Sequence, residues 1–273
     1  MKDVGIHVRL NGSLLSALER IVIAGMPFFQ CFLVSHKSND MIHVTEQEKK
    51  DFLVMRRAWA GNIYLHASYW INLAGVQYTG HRALYRELRL ARSLEFTHIV
   101  AHSGSAKGAA HKSDGIDALA RAVNEFLTYE SSLSLVLENT AHGGMAVGGD
   151  FNDFKAMLEL VDKPERVSFC VDTAHAHSYG YNLIGQENRQ QFIDVLEKTI
   201  GIDAIGLIHL NDTAEKLGSK IDRHEVLGEG VLGMQALKEF VLDERLAQIP
   251  ILLELPVVSS EQELATVEIV RSW

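Results

Sequence analysis

Six apolar runs in this sequence each end in a histidine or an acidic residue. The six end residues are His66, His102, Glu138, Asp172, His209 and Glu254. Successive members are separated by 36, 36, 34, 37 and 45 residues, which is about the length of one strand followed by one helix. Because imidazole and carboxylate groups are metal ligands, one such residue per strand–helix unit predicts a metal site at one edge of the fold.

Two segments add further candidate ligands near these strand ends. His175 lies three residues after Asp172, and Asp222 and His224 point to the same side if the chain between them is extended. The full set is His66, His102, Glu138, Asp172, His175, His209, Asp222, His224 and Glu254. Such nitrogen and oxygen ligands suit zinc, with manganese or iron as alternatives. Nine ligands exceed the needs of one ion, so we expect two or three ions with at least one bridging carboxylate.

The four carboxylates of this set favour a metal site over simple packing. A single histidine at a strand end is more often a hydrogen-bonded packing residue than a ligand. Four clustered carboxylates without ions, however, would repel one another and would be costly to remove from water. Two neighbouring ions can bind a hydroxide and a substrate oxygen and stabilise the leaving oxyanion. The pattern therefore predicts hydrolysis of a phosphoester.

Other histidines do not share this position in the pattern. Six of them fall in helices, loops or strand starts and are interpreted as surface or packing groups: His36, His43, His81, His98, His111 and His142. His177 lies near the cluster, but its spacing matches no ligand pair. Gly228-Glu229-Gly230 is interpreted as a tight loop before a helix, because it is far too short for a phosphate-binding P-loop.

The elements that must position these residues are eight short, mostly apolar runs, typical of buried parallel strands. They span residues 4–10, 27–34, 62–66, 97–102, 133–138, 167–172, 204–210 and 250–255. Amphipathic helices are predicted at 49–60, 82–94, 114–129, 151–161, 187–200, 234–247 and 261–270, the first opened by a capping box at Thr45-Glu46-Gln47-Glu48. This alternation predicts an α/β fold, a (β/α)8 TIM barrel of one domain over residues 1–273, rather than an open sheet. The active site would lie at the C-terminal ends of the strands, together with Asn139, Thr140, Thr173, Asn211 and Asp212.

The composition is that of a globular protein, with 47% apolar and 22% charged residues among 273. The net charge of −9 argues against nucleic acid as a partner, but bound divalent cations would reverse the field in the cleft that holds them. Cys31 and Cys170 lie in separate apolar runs with no spacing pattern, which indicates a reduced, intracellular protein. The longest apolar stretch, residues 21–34, is interrupted by Gly25, Pro27 and Gln30, so no membrane attachment is expected.

Several segments of the sequence resemble the endonuclease IV family of apurinic/apyrimidinic (AP) endonucleases, from one end of the chain to the other. The matching segments are Gly5-Ile6-His7-Val8, His66-Ala67-Ser68-Tyr69, Ile71-Asn72-Leu73, Leu137-Glu138-Asn139-Thr140-Ala141, Val171-Asp172-Thr173-Ala174-His175-Ala176, Gly180-Tyr181 and His209-Leu210-Asn211-Asp212. The most specific is Gly218-Ser219-Lys220-Ile221-Asp222-Arg223-His224, followed by Leu227-Gly228-Glu229-Gly230. Each position at which the family has a metal ligand holds the expected residue type here.

The resemblance implies a site for three zinc ions, one of which Mn²⁺ or Fe²⁺ could replace. The implied sets are His66, His102 and Glu138 for the first ion, Glu138, Asp172, His209 and Glu254 for the second, and His175, Asp222 and His224 for the third. Glu138 would bridge the first two ions. The carboxylates implied to be catalytic are those of Glu138, Asp172 and Glu254.

The resemblance further implies a zinc-dependent hydrolase of base excision repair. The family cuts double-stranded DNA 5′ to an abasic site and leaves a 3′-hydroxyl and a 5′-deoxyribose phosphate, with a metal-bridged hydroxide attacking the phosphorus. Tyr69 matches a residue of the loops that penetrate DNA, although a tyrosine that packs on the rim is the alternative interpretation. Lys220 and Arg223 lie beside the third set as candidate DNA contacts. We expect a monomer in the cytoplasm, associated with the nucleoid of a prokaryote.

Three segments depart from the family pattern. Residues 35–41, after the second strand, contain no arginine or tryptophan, whereas the family usually has a basic and aromatic DNA-inserting loop there. Ser103-Gly104 follows His102 where the family usually has a proline, and the tail after Glu254 is short. The metal-binding core is therefore better supported than the family's way of bending DNA and flipping the abasic nucleotide.

Two other functions fit parts of the pattern. A sugar isomerase or epimerase on the same broad barrel superfamily would use one or two ions and a proton-transfer pair, and the ligands of a third ion at Asp222 and His224 count against it. A lesion-binding relative without turnover is suggested by the altered loop after the second strand.

Overall fold

Eight parallel strands form the centre of the protein within the residues that the structure, a computed structural model, describes: 2–10, 12–35, 40–77 and 81–273, with only the backbone of His81. Their bounds are β1 Val4–Val8, β2 Phe28–Cys31, β3 Asn62–His66, β4 His98–His102, β5 Ser134–Glu138, β6 Val167–Asp172, β7 Ile205–His209 and β8 Ile251–Leu253. Each strand pairs with the next in chain order, and β8 pairs with β1, so the sheet closes into a barrel. The predicted TIM barrel is confirmed.

The register of the strands aligns the residues at their C-terminal ends. His102 of β4 is the partner of Glu138 in β5, and Asp172 of β6 is the partner of His209 in β7. Residues paired in this way lie next to each other across the sheet, about 5 Å apart. Pairing alone therefore brings four of the predicted ligands to one rim.

The described part of the chain contains nine α-helices. They are α1 Leu14–Ile23, α2 Glu46–Trp59, α3 His81–Ser93, α4 Lys112–Tyr129, α5 Phe151–Leu158, α6 Thr173–Tyr179, α7 Gln186–Thr199, α8 Gly233–Val241 and α9 Ser260–Arg271. Seven correspond to the predicted helices, with ends that differ by up to six residues. Among the described residues, no helix combines the length and the apolar composition needed to cross a bilayer.

Helix α1 is absent from the sequence-based prediction. Its buried residues Leu14, Leu18 and Ile21 recur at spacings of four and three, and Ser13 caps its first turn by accepting a hydrogen bond from the Ser16 amide at 3.0 Å. The apolar residues of its last turn continue into β2 with one short turn between them. The long apolar stretch therefore concealed the boundary between a helix and a strand.

The predicted capping box of α2 is only half correct. Thr45 Oγ1 accepts from the Glu48 amide at 3.2 Å, as such a box requires, and the helix begins at Glu46 rather than at residue 49. The Glu48 carboxylate does not turn back to Thr45; it accepts from the Leu14 amide at 2.9 Å. Glu48 thus satisfies a free N–H at the start of α1 and ties the two helices together.

A layer of side chains fills the barrel directly below the rim. It contains Phe28, Tyr64, Val100, Val136, Cys170, Leu207 and Leu252, all buried. Strand β1 contributes Gly5 next to this layer, and a Cβ at Gly5 would lie 2.4 Å from the ring of Phe28 and 2.6 Å from its carbonyl oxygen. The absence of a side chain at residue 5 therefore leaves the space that the Phe28 ring occupies.

We expect the substitution Gly5→Ala to lower the free energy of unfolding by about 1–3 kcal/mol, because the added methyl group must displace both the ring and the backbone of Phe28. Gly12→Ala is the matched control, since a Cβ at Gly12 meets no atom within 4 Å. Urea unfolding of metal-free protein measures the difference without a contribution from ion release. Equal stability of the Gly5→Ala variant and the wild type would contradict this account of the layer.

Candidate metal centre

The nine predicted ligands converge at the C-terminal rim of the barrel. His66, His102, Glu138, Asp172 and His209 are the last residues of β3 to β7, and Glu254 directly follows β8. His66, Glu138, Asp172, His175 and His209 are buried almost completely, whereas the other four are partly exposed. Five of the nine line an open cavity of about 430 Å³: His102, His175, Asp222, His224 and Glu254.

Glu138 lies between two groups of donors. Its Oε2 atom lies 3.2 Å from His66 Nε2 and 3.6 Å from His102 Nε2. Its Oε1 atom lies 3.0 Å from His209 Nδ1. The two oxygens of one carboxylate thus point to different neighbours, which is the geometry that a bridging ligand needs.

The second group continues from Glu138 through His209. His209 Nδ1 lies 3.6 Å from Glu254 Oε2 and 3.9 Å from Asp172 Oδ2. Single ligand atoms from Glu138, Asp172, His209 and Glu254 all lie within 4.8 Å of one another, as do those from His66, His102 and Glu138. Four donors at these separations could surround one ion.

A third group lies next to Asp172. His175 Nε2 is 3.0 Å from Asp222 Oδ1, and His224 Nε2 is 3.7 Å from the same oxygen. His224 Nε2 also lies 3.6 Å from Asp172 Oδ2, so Asp172 touches both the second and the third group. The three groups are therefore contiguous across the rim.

Hydrogen bonds to backbone carbonyl groups orient the histidine rings. Nδ1 of His66, His175 and His224 donates to the carbonyl oxygens of Ala67, Asn139 and Glu254 at 2.9, 2.9 and 3.2 Å. A carbonyl oxygen only accepts, so the proton is on Nδ1 and Nε2 is available as a ligand. This arrangement is the usual support of metal-binding histidines.

Helix α6 explains how His175 reaches the site. Asp172 is its N-cap, and Asp172 Oδ1 accepts from the amide of His175 at 2.7 Å. The cap places His175 in the first turn, directly beside the strand end. The spacing of these two residues was predicted to place both at the site, but α6 was not predicted, although an aspartate directly before a helix is an N-cap signal.

The side chains of the three groups fit a metal site for two reasons: two of their buried nitrogens lack hydrogen-bond partners, and their carboxylates lack permanent cations as partners among the described residues. His175 Nε2 and His224 Nε2 are buried and make no hydrogen bond of normal geometry in the described part of the chain. There, the carboxylates of Glu138, Asp172, Asp222 and Glu254 form ion pairs with histidines and with no lysine or arginine. Buried carboxylates paired only with imidazoles suit a cation that binds both.

The pKa shifts reflect the same shortage of positive charge. Burial by itself would raise the pKa of Glu138, but the nearby imidazoles of His102 and His209 hold it well below its usual range. Burial would lower the pKa of His175, but Asp172 and Asp222 raise it well above the usual value. A proton on His175 would therefore help to balance these carboxylates without metal, and an ion would compete with that proton.

Asn211, predicted to lie at this rim, supports the ligands together with Gln30 and His7, which were not predicted as site residues. Glu254 Oε1 accepts from Gln30 Nε2 at 2.6 Å and lies 3.1 Å from His7 Nδ1, and Gln30 Oε1 accepts from His209 Nε2 at 3.2 Å. Asn211 Nδ2 donates to Asp172 Oδ2 at 2.6 Å. Gln30 is a lone amide within an apolar strand, and that contrast was a signal in the sequence.

Asp212 organises the segment that carries Asp222 and His224. Its buried carboxylate accepts from the amides of Thr213, Gly228, Gly230, Leu232 and Gly233 at 2.8, 3.0, 3.2, 3.1 and 3.1 Å. Its carbonyl oxygen accepts from the Glu225 amide at 2.9 Å. Gly228-Glu229-Gly230 is thus a loop folded around a carboxylate of the protein itself, consistent with its interpretation as a tight turn before a helix.

The three predicted DNA contacts lie in different surroundings. Tyr69 is 63% exposed, and its ring centroid lies 5.8 Å from that of His66 and 5.3 Å from that of Phe32. Arg223 is exposed and lines the cavity. Lys220 instead lies over the ring of Tyr179, 3.3 Å from its centroid, and donates to the Tyr179 carbonyl oxygen.

The histidines interpreted as packing or surface groups stay outside the three groups wherever the structure describes their side chains, which it does not for His36 and His81. His98 begins β4, at the opposite end of that strand from His102, and stacks on Tyr64. His142 Nδ1 donates to the Lys220 carbonyl oxygen, and His177 is buried in α6. His36 lies outside the described residues, as do Lys37, Ser38 and Asn39 of the altered segment after β2.

Comparisons with known proteins show which family the chain resembles. Residues 20–273 match the model of the xylose isomerase-like TIM barrel family. The chain is 32% identical over 261 residues to "Probable endonuclease 4" of Campylobacter concisus, covering 93% of this chain and 92% of the relative. It is 34% identical over 271 residues to "Probable endonuclease 4" of Halorhodospira halophila, covering 94% of this chain and 89% of the relative.

A solved structure resembles the whole fold. The crystal structure of endonuclease IV from Thermus thermophilus superimposes with a TM-score of 0.83 at 26% identity, covering 99% of this chain and 98% of the other. These matches confirm the resemblance predicted from the sequence and, with it, the prediction that the chain is an enzyme. The chain belongs to the endonuclease IV family within the xylose isomerase-like TIM barrels.

Proposed function

We propose that the protein is a metal-dependent AP endonuclease of base excision repair. It would hydrolyse the phosphodiester 5′ to an abasic site in double-stranded DNA and leave a 3′-hydroxyl and a 5′-deoxyribose phosphate. The observation that carries the proposal is the third group of donors beside Asp172. An isomerase or epimerase that uses one or two ions has no need of His175, Asp222 and His224 in that position.

Three zinc ions would occupy the three groups, one of them replaceable by Mn²⁺ or Fe²⁺. The proposed sets are His66, His102 and Glu138, then Glu138, Asp172, His209 and Glu254, and finally His175, Asp222 and His224. When bound, the ions would activate a water molecule as the nucleophile and neutralise charge on the phosphate and on the leaving oxygen. The chemistry of the ligands supports this proposal, because three or four nitrogen and oxygen ligands for each ion are typical of zinc sites.

The protein's own residues would fix the positions of the reacting groups. Glu138 would orient the first and second groups together, because its two oxygens face different neighbours. Gln30 and His7 hold one oxygen of Glu254 and leave the other directed toward His209. Such preorganised ligands do not have to rearrange during the reaction.

The open cavity above these residues would receive the damaged strand. The exposed ring of Tyr69 at its edge offers a surface on which a base or sugar could stack, and Arg223 offers a cation for the backbone. Lys220 would contribute to DNA binding only after leaving the ring of Tyr179. The expectations of one domain over residues 1–273, a monomeric state and a cytoplasmic, nucleoid-associated location stay predictions.

The first prediction concerns the metal requirement. Purified protein with its bound ions should cut a duplex with one abasic site without added magnesium, and a chelator should abolish the cut because it removes the ions that activate water. Elemental analysis of the same sample should find three ions per chain. An undamaged duplex of the same sequence is the control. A sample that holds three ions and leaves the abasic duplex intact would overturn the proposed function.

The second prediction concerns Glu138. The isosteric change Glu138→Gln removes the negative charge shared by two groups and should lower the incision rate by at least about a hundredfold, more than the loss of a residue that merely supports a ligand. Glu197→Gln makes the same change on the exposed side of α7 and should leave the rate unchanged. A lesion-binding protein without turnover would instead bind the abasic duplex equally well in all three forms and cut it in none.

The third prediction concerns Asp212. In the Asp212→Asn variant, one acceptor oxygen becomes an NH₂ group, which leaves two or three of the five buried amides without an acceptor. The segment that carries Asp222 and His224 should loosen, so elemental analysis should find two ions per chain instead of three. Asp203→Asn, on an exposed turn, is the control. A full set of ions in the Asp212→Asn variant would show that the segment does not depend on this carboxylate.

A further inference from the structure

Arg9 is a cation at the rim that the proposed chemistry does not use. It is the first residue after β1, at the same end of the barrel as the candidate metal ligands. It is exposed and lines the cavity of about 430 Å³ together with His175, His224 and Glu254. Among the described residues that line this cavity, Arg9 and Arg223 carry the permanent positive charges.

Two backbone contacts hold the guanidinium of Arg9 in place. Nη2 donates to the Leu255 carbonyl oxygen at 2.7 Å, and Nη1 donates to the Pro256 carbonyl oxygen at 3.3 Å. These acceptors directly follow Glu254, so the guanidinium is tied to the same strand end as a proposed metal ligand. A guanidinium has five N–H donors, and these two contacts leave others for a ligand in the cavity.

No carboxylate forms an ion pair with Arg9 within the described residues, and Glu263, on which the charge of Arg9 acts from a greater distance, pairs with Arg20 at 2.8 Å. The nearby Glu254 pairs with His7 and His209, and no acidic oxygen of the described chain lies within the 4.0 Å of an ion pair with Arg9. The other cavity arginine, Arg223, has Glu215 at 4.0 Å. The charge of Arg9 is therefore available to an anion that enters the cavity.

We propose that Arg9 binds a phosphate next to the one that is cut, on the same DNA strand; this inference rests on the proposed function. A fixed guanidinium can form two parallel hydrogen bonds to phosphate oxygens, which gives it a stronger and better oriented contact than an ammonium group. The ions that the three groups would hold contact the phosphate that is cut. Arg9 is therefore free to bind the adjacent phosphate. The contact would set the register of the strand across the rim.

The test compares Arg9→Gln with the control Arg57→Gln, which removes the same charge from α2. Arg57 pairs with Glu95 in the turn that leads into β4, so it lies at the opposite end of the barrel from the candidate site. Each metal-loaded protein is titrated with a fluorescent duplex that contains one abasic site, at a series of salt concentrations, and its incision kinetics are measured. Arg9→Gln should weaken binding about tenfold and make the slope of log affinity against log salt shallower by about one, the value for one lost phosphate contact. Arg57→Gln should match the wild type.

A third variant, Arg9→Lys, separates charge from geometry. The lysine should keep the salt slope of the wild type but lose part of the affinity, because it cannot form the paired hydrogen bonds. KM should rise in Arg9→Gln while kcat stays near that of the wild type, since the phosphate that is cut does not depend on Arg9. Elemental analysis of each variant should find the metal content of the wild type.

The outcomes distinguish this inference from the proposed function. Wild-type affinity and salt slope in Arg9→Gln, together with normal incision, would overturn the role of Arg9 and leave the endonuclease proposal standing. Weaker, less salt-dependent binding in Arg9→Gln by a protein that binds DNA without cutting it would support Arg9 and overturn the endonuclease proposal. Loss of metal from Arg9→Gln would show that Arg9 only holds the end of β8, and a wild type that binds no DNA would overturn both.

Discussion

The structure depends on how four carboxylates are held together at one end of a barrel. Glu138 and Asp172 are removed from water completely, and Glu254 and Asp222 lie within a few ångströms of their neighbours. Carboxylates in such a place repel one another and lose their hydration, so positive charge has to come from nearby groups or from ions. His66, His175 and His209, whose pKa values lie above the usual value, would supply that charge as protons in the absence of metal, and the five histidines would supply ligand nitrogens in its presence. The same side chains therefore stabilise the folded rim in both states.

This constraint explains why much of the rim consists of amides and backbone groups rather than cations. Asn211, Asn139 and Gln30 connect ligands to one another without adding charge, and the carbonyl groups that accept from the histidines do the same. A lysine or arginine among the ligands would bind the carboxylates directly and would oppose a divalent ion. The same holds for Asp212 in the segment next to the ligands. Among the described residues, backbone amides rather than a cation stabilise its negative charge, so Asp212 brings no additional positive charge near the ligands.

The sequence predicted the parts of the molecule that repeat. Each strand end with an acid or a histidine is a local signal, and closure of the barrel then brings these ends together, so six of the nine side chains at the rim were predicted from this pattern and three from their spacing. The contacts that support the ligands could not be predicted from local patterns, because they join residues far apart in the chain: Gln30 to Glu254, or Asp212 to Gly233. Helix α1 was missed for a different reason, since its apolar face runs into β2 without a polar break. Local patterns thus predict which side chains meet at the rim, while the contacts that orient these side chains depend on the closed fold.

The net charge of −9 acquires a different meaning once the rim is considered separately. Three divalent ions would carry more positive charge than the four carboxylates carry negative charge, so a filled rim would become positive on a protein that is acidic elsewhere. DNA would then be repelled by most of the surface and attracted at the one place where it can be cut. A basic protein would bind DNA broadly and would have to search within that bound state for the lesion. An acidic barrel whose mouth is made positive by bound ions would instead restrict productive contact to the cavity, and a fixed cation such as Arg9 would extend the positive region along the strand.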